Sequence, residues 1–227
     1  MPSIPRRLML TGSLAGVLTA TAGCSLLEQR SAKDETPKNS GDTTASSSHG
    51  GAELVPVRQG QGQPGQWADC GPVCVLMVLL ALGKTPEGWN PDDPVPAIMA
   101  IQGAGRMDLP RPEAMEGSTL TQMAAGLGSY QVRTRRVLDA EAALKAAREQ
   151  RMAVINVMTH QFSWPQDLPD KVPHVVVLAG HDEATDEYLI MDPMSRAEDN
   201  SVHRASADEI TAAMTSRSDV GGLVAES

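Results

Sequence analysis

Residues 69–82 read Asp69-Cys70-Gly71-Pro72-Val73-Cys74-Val75-Leu76-Met77-Val78-Leu79-Leu80-Ala81-Leu82, and this stretch decides the fold. From Val73 to Leu82 it leaves no polar face, and a helix apolar all round is buried on every side. Pro72 suits a first turn, where the missing amide has no intrahelical acceptor in any case, and Gly83 suits a C-cap. The stretch therefore predicts a central helix that opens at Cys70. A thiol there feels the positive end of the helix dipole, which favours its thiolate, the form a nucleophilic cysteine needs. The alternative is a half-buried cysteine that only packs, since free Cys is among the most buried residue types.

Downstream, residues 86–112 are crowded with proline and glycine and read as a long surface loop. A second helix starts with Ser118 as its N-cap and runs through Leu120 and Met123 to Gly126. Residues 130–137 have strand character, and 140–149 form a helix by propensity and period. Three short β-rich runs follow at 152–158, 175–178 and 188–191. Ser206 with Glu209 makes a capping box for a last helix over 207–214. A central helix, further helices and then strands imply an α+β fold, its antiparallel sheet packed on the first helix.

Two of those strands carry polar ends. Pro173-His174-Val175-Val176-Val177-Leu178 begins beside His174, and Tyr188-Leu189-Ile190-Met191-Asp192 stops at Asp192, with a polar turn over 181–187 between them. A hairpin closing symmetrically about Glu183 sets Leu178 opposite Tyr188 and His174 opposite Asp192. Directly opposed residues have Cβ atoms ~4.5–5.5 Å apart, within reach of an imidazole-to-carboxylate hydrogen bond. Such a carboxylate fixes the tautomer and steadies the imidazolium once the ring has taken a thiol proton. A lone His on an apolar strand is more often structural; with Cys70 at a helix start, the three residues together favour catalysis.

The other candidates are weaker. Cys74 lies one turn after Cys70, but no second Cys or His cluster accompanies it for zinc, and two positions on one helix fit a disulfide poorly. It reads as core, and neither a metal nor a cofactor is implied. His160, His181 and His203, with Asp167, Asp170, Asp182 and Asp186, fall in or beside loops and read as solvated.

The motifs Asp69-Cys70-Gly71-Pro72, His174-Val175-Val176-Val177 with Gly180, and Asp192-Pro193 resemble those of the cysteine peptidases that process double-glycine leaders of bacteriocins. They also resemble those of the stand-alone secreted relatives in the papain clan, over about residues 66–196. The resemblance implies a papain-like cysteine peptidase fold over 66–227, with Cys70 as nucleophile, His174 as general base and acid, and Asp192 as orienting residue. It also implies an upstream glutamine that supplies an oxyanion-hole amide beside the backbone N–H of Cys70. The family position for that glutamine holds Pro64, flanked by Gln66 and Gln63; Gln66 is favoured and Gln63 stays open. The activity implied is cleavage of a peptide or isopeptide bond in a peptide or protein substrate, through a thioester on Cys70. A transglutaminase-like acyl transferase uses the same three residues, and an inactive binding module is the alternative from another class.

The N-terminus has its own chemistry. Arg6 and Arg7 precede an apolar run over 8–22, in the charge-then-apolar order of a signal peptide, too short for the ~20 residues of a spanning helix. Thr21-Ala22-Gly23-Cys24 resembles a bacterial lipobox, although Thr21 departs from the usual Leu; it points to lipidation of Cys24, where two acyl chains give a stable anchor. Ordinary cleavage near Ala22 is the alternative. Arg6-Arg7 resembles a twin-arginine signal, and the choice between that route and the general one stays open. Residues 25–65 are rich in Ser, Thr, Gly and Gln and read as a disordered tether, interrupted only by Leu54-Val55-Pro56-Val57, which reads as a short edge strand that begins the domain. The expected location is the extracytoplasmic face of a bacterial cell membrane, for a monomer held by its lipid alone. A formal charge of −9 excludes nucleic acid as a natural partner.

Overall fold

The apolar helix is α1, Cys70–Ala81, with Gly71 to Leu79 all buried. It lies at the centre of a computed structural model that describes residues 48–49, 52–63, 65–109, 117–167 and 171–226. Two further helices, α2 (Val95–Gln102) and α3 (Leu120–Ser129), pack against it. A two-residue antiparallel pair, β1 (Ser48–His49) and β2 (Ala52–Glu53), comes first in the chain.

The main sheet holds β3 (Arg133–Val137), β4 (Ala153–Met158), β5 (Pro173–Asp182), β6 (Glu187–Met191), β7 (Val202–Ala205) and β8 (Gly222–Glu226). Every neighbouring pair is antiparallel, in the order β3-β8-β4-β5-β6-β7. Side chains alternate between its faces. Val154, Val175, Val177, Met191 and Leu223 join the core around α1. Ile155, Val176, Leu178, Ile190 and Val224 join a second core under α4 (Ala140–Arg148) and α5 (Ala207–Thr215). The run from Val175 to Ala179 is continuously apolar because both of its faces are covered.

The α+β class, with a central helix on an antiparallel sheet, is what the structure shows. It corrects the details in four places. Helices cover the second face of the sheet as well as the first. The expected loop over 86–112 contains α2, whose Pro94 is the N-cap and whose Pro96 sits in the first turn; these prolines start a helix, as proline at that end can. The N-cap of α3 is Thr119 rather than Ser118, in a reciprocal capping box with Gln122. The strands β7 and β8 were not expected: five residues, Gly222-Leu223-Val224-Ala225-Glu226, are too few for periodicity to mark them.

The tether boundary also moves. Residues 44–227 form one compact unit, and Leu54 and Val57, the apolar interruption of the tether 25–65, are buried in the α1 core, though residues 54–57 form no strand. The Gln59 N–H donates to Pro193 O at 2.8 Å. Two apolar anchors hold a segment whose average composition is polar. The signal segment 1–24, Cys24 and tether residues 25–47 lie outside the described residues. Among the described residues no helix is long and apolar enough to cross a membrane.

Candidate active site

Cys70 is the first residue of α1, half-buried and unbonded to other sulfur. Its neighbour Asp69 occupies the N-cap position without capping the helix by its side chain. The carboxylate turns aside and accepts from Gln63 Nε2 at 2.8 Å and Gln102 Nε2 at 2.5 Å. Burial pushes Asp69 up to about 6, against the pull of those two hydrogen bonds. Gly71 lets the helix start press on the segment leading into α3: a Cβ at that position would lie 2.5 Å from Ser118 Oγ and 2.6 Å from Ser118 Cβ.

His174 and Asp192 are each only 1% exposed, and His174 Nε2 lies 2.8 Å from Asp192 Oδ1. The same carboxylate accepts from the Met194 N–H at 2.8 Å, Trp164 Nε1 at 2.9 Å and Gln166 Nε2 at 2.6 Å. Burial alone would raise the Asp192 pKa, but the His174 charge and these donors outweigh it and bring it down to about 2. Burial alone would lower the His174 pKa; the Asp192 charge and hydrogen bond, with a hydrogen bond to Cys70, raise it to about 9. With Nε2 on Asp192, Nδ1 is the ring nitrogen left for Cys70. The pair therefore favours the imidazolium form of the ring, with one N–H on a carboxylate and the other toward the Cys70 sulfur.

The route to this geometry differs from the symmetric hairpin. Leu178 pairs with Ile190, not Tyr188, because the turn spans 183–186 with Asp182 opposite Glu187 instead of closing about Glu183; a bulge between Leu178 and Gly180 then shifts the register by one residue. Asp192 is thus two positions away from direct opposition to His174. It lies just past the end of β6, and the pair closes diagonally, within the reach of two long side chains. His174 and Asp192 meet as expected, through a register that was not.

Similar solved structures are peptidase domains. The peptidase domain of Streptococcus ComA, a bifunctional ABC transporter in a quorum-sensing pathway, aligns at TM-score 0.49 and 14% identity over 77% of this chain and 100% of that one. A putative C39-like peptidase from Bacillus anthracis aligns at TM-score 0.49 and 15% identity, over 76% of this chain and 94% of that one. A double-glycine motif protease from an AMS/PCAT transporter, solved with a leader peptide, aligns at TM-score 0.44 and 15% identity, over 76% and 92%. Overlap at this level carries no assignment of activity. No protein-family model and no curated protein sequence matches the chain.

A cleft of about 370 Å³ opens beside Cys70 and His174, with Ser118, Arg136, Leu138, Asn156, Arg217 and Asp219 in its walls. Arg217 donates twice to Asp219, at 2.6 and 2.5 Å, and once to His174 O at 3.3 Å. Asn156 Nδ2 donates to Asp219 O at 3.0 Å. The chain entering β8 is thereby tied to the strand that carries His174.

Neither glutamine is part of that lining. Gln66 opens a 3₁₀ turn, Gln66–Ala68, that leads into α1; its Oε1 accepts from the Gly62 N–H at 2.9 Å, and its Nε2 has no partner among the described residues. Gln63 is buried, with its amide nitrogen given to Asp69 and its Oε1 unpartnered.

Cys74 is core, fully buried with its thiol 3.5 Å from Val175 O. Two of the histidines expected to be solvated are not. His203 is 8% exposed, bonds Ser195 Oγ at 2.6 Å and stacks on Trp164 at 4.5 Å; burial lowers its pKa. The His181 ring packs on Tyr188 and bonds Asp186 at 3.0 Å. Asp167 pairs with Arg58 and Asp182 with Arg204, while Asp170 lies outside the described residues. Sequence reasoning missed Trp164, Gln166 and Arg217. They sit in irregular segments where no period operates, and a lone Trp in a polar stretch was the only signal.

Proposed function

We propose that this domain is a thiol hydrolase of the cysteine peptidase type, with Cys70, His174 and Asp192 as its triad. The carrying observation is the buried 2.8 Å contact of His174 Nε2 with Asp192 Oδ1, which leaves the other ring nitrogen for Cys70. The Cys70 thiolate, its proton held on His174 Nδ1, attacks the substrate carbonyl carbon, and the C–N bond breaks as His174 Nδ1–H protonates the departing amine, leaving a thioester. His174, now neutral, takes a proton from water as its oxygen attacks the thioester, and the thiolate leaves. The Cys70 backbone N–H receives the oxyanion; both glutamines lie outside the cleft lining, and Gln66, whose amide nitrogen Asp69 does not hold, is the candidate second donor, reaching the site only if its side chain turns. One such donor is worth about 10²–10³ in kcat, so Gln66→Ala separates it from Gln63→Ala.

The test is digestion of a mixed peptide library by the full-length protein, with new termini identified by mass spectrometry. Wild type is expected to cut and Cys70→Ala and His174→Ala are not. Cleavage that persists in Cys70→Ala, or no cleavage together with Cys70 alkylation indifferent to His174→Ala, defeats the reading.

The same proposal includes export and anchoring through Cys24, supported by the charge-then-apolar order of residues 1–23 and the Thr21-Ala22-Gly23-Cys24 pattern. Membrane fractions are expected to hold the protein with a diacylated N-terminal cysteine, and Cys24→Ala to release it. A Cys24→Ala protein that stays with the membrane would count against the anchor.

A further inference from the structure

Two charged side chains of the cleft are already committed: Arg217 and Asp219 neutralise each other, and Arg217 is also tied to His174 O. Arg136, which also lines the cleft, is not. The neighbouring Arg135 pairs with Glu226 at 3.4 Å across β3 and β8, whereas Arg136 has neither an acidic nor a hydrogen-bonding partner among the described residues. Alternation along β3 explains the difference: Arg135 shares a face with buried Val137, and Arg136 points to the other face, where Cys70 and α3 lie. A second polar group of the lining is unsatisfied: Ser118 Oγ is buried without a hydrogen-bond partner. Arg136 itself is exposed, so its guanidinium is free to meet a ligand in the cleft. Leu138, also in the lining, stands 76% exposed.

We propose that this cleft takes a peptide with a carboxylate close to the scissile bond, received by Arg136 with Ser118 Oγ as a second donor, next to an apolar residue over Leu138. The inference rests on the peptidase reading of the cleft for its substrate, but the anion site itself does not. Arg136 is thus a specificity residue and not a catalytic one. A guanidinium receives a carboxylate through two parallel N–H donors, which lysine cannot reproduce.

Two measurements test it on the full-length protein. The first compares alkylation of Cys70 by iodoacetate, which is anionic, with alkylation by iodoacetamide, which is neutral. The iodoacetate-to-iodoacetamide rate ratio is expected to fall about threefold or more in Arg136→Gln and to hold in Arg133→Gln, on the same strand. An unchanged ratio in Arg136→Gln overturns the proposal. The second scores the peptide-library cuts. Acidic residues are expected to be enriched near the cut, and in matched Glu and Gln peptides Arg136→Gln is expected to lose about tenfold in kcat/KM for the Glu peptide only. Matched peptides with free or amidated C-termini distinguish a side-chain carboxylate from a terminal one. Cleavage without acidic preference, or a preference that survives Arg136→Gln, sinks the substrate assignment. No cleavage, with the alkylation ratio still dependent on Arg136, fails the peptidase reading and leaves Arg136 as an anion site.

Discussion

Two buried histidines share one tryptophan, and their pKa values are shifted in opposite directions. His174 and His203 are 1% and 8% exposed; Trp164 donates to the aspartate that holds the first and stacks on the ring of the second. The His174 partner is a carboxylate, and its pKa rises to about 9. The His203 partner is the Ser195 hydroxyl at 2.6 Å, and burial lowers its pKa. Burial pushes both the same way, so the charge of the partner decides the outcome. One ring is a proton donor aimed at a thiol; the other is a neutral wedge that backs the tryptophan.

The contrast breaks most severely at His174. His174→Ala is expected to cost about 10⁴-fold or more in kcat/KM for peptide cleavage, against less than about twofold for His203→Phe. Next is Asp192→Asn, which removes the charge that makes the two histidines unlike. Activity should fall about 10²–10⁴-fold, and titration of His174 followed by NMR should move down toward that of His203. A His174 that still titrates near 9 in this variant would show that the carboxylate is not the cause.

Trp164→Phe comes third. It keeps an aromatic ring for His203 and deletes the N–H to Asp192, at an expected cost of about 1.5–3 kcal/mol from losing a hydrogen bond to a charged group, read in kcat and in urea unfolding.

The smallest effect is the pH dependence of stability. The raised pKa of His174 gives stability that is fully present below its ordinary 6.5 and lost as pH rises toward about 9. The lowered pKa of His203 has the reverse sign, with stability present above 6.5 and lost as pH falls below it. His203→Phe should therefore flatten the acid side of the unfolding profile below about pH 6.5 and leave the alkaline side unchanged. An acid limb that keeps its slope would remove His203 from the account.

Much of the site was legible because its residues stand at the ends of strongly patterned elements. Cys70 opens the most apolar run in the chain, and His174 and Asp192 flank two β-rich segments, so their meeting could be argued from a hairpin alone. The register could not, because the polar stretch 181–187 does not mark where the turn closes, and a bulge between Leu178 and Gly180 shifts the pairing once more. Nor could His203, whose flanking residues resemble a loop and which is buried only because β7 closes the sheet beside β6. The free charge on Arg136 was equally hidden, since it depends on Glu226 pairing with its neighbour from the far end of the chain.

By itself, the sequence determined the buried central helix, the α+β class, the export-like N-terminus, and the Cys, His and Asp that share one site. These follow from local pattern: apolar periodicity, caps, and residue types whose chemistry is the same wherever they sit. Only the tertiary structure decided that Gln59 and Gln63 are buried ahead of the central helix, that the last strand inserts between β3 and β4, which histidine favours its charged form, and which arginine is left unpaired. Those outcomes depend on contacts between residues far apart in the chain. Burial and partner charge are properties of the assembled neighbourhood rather than of any residue in it.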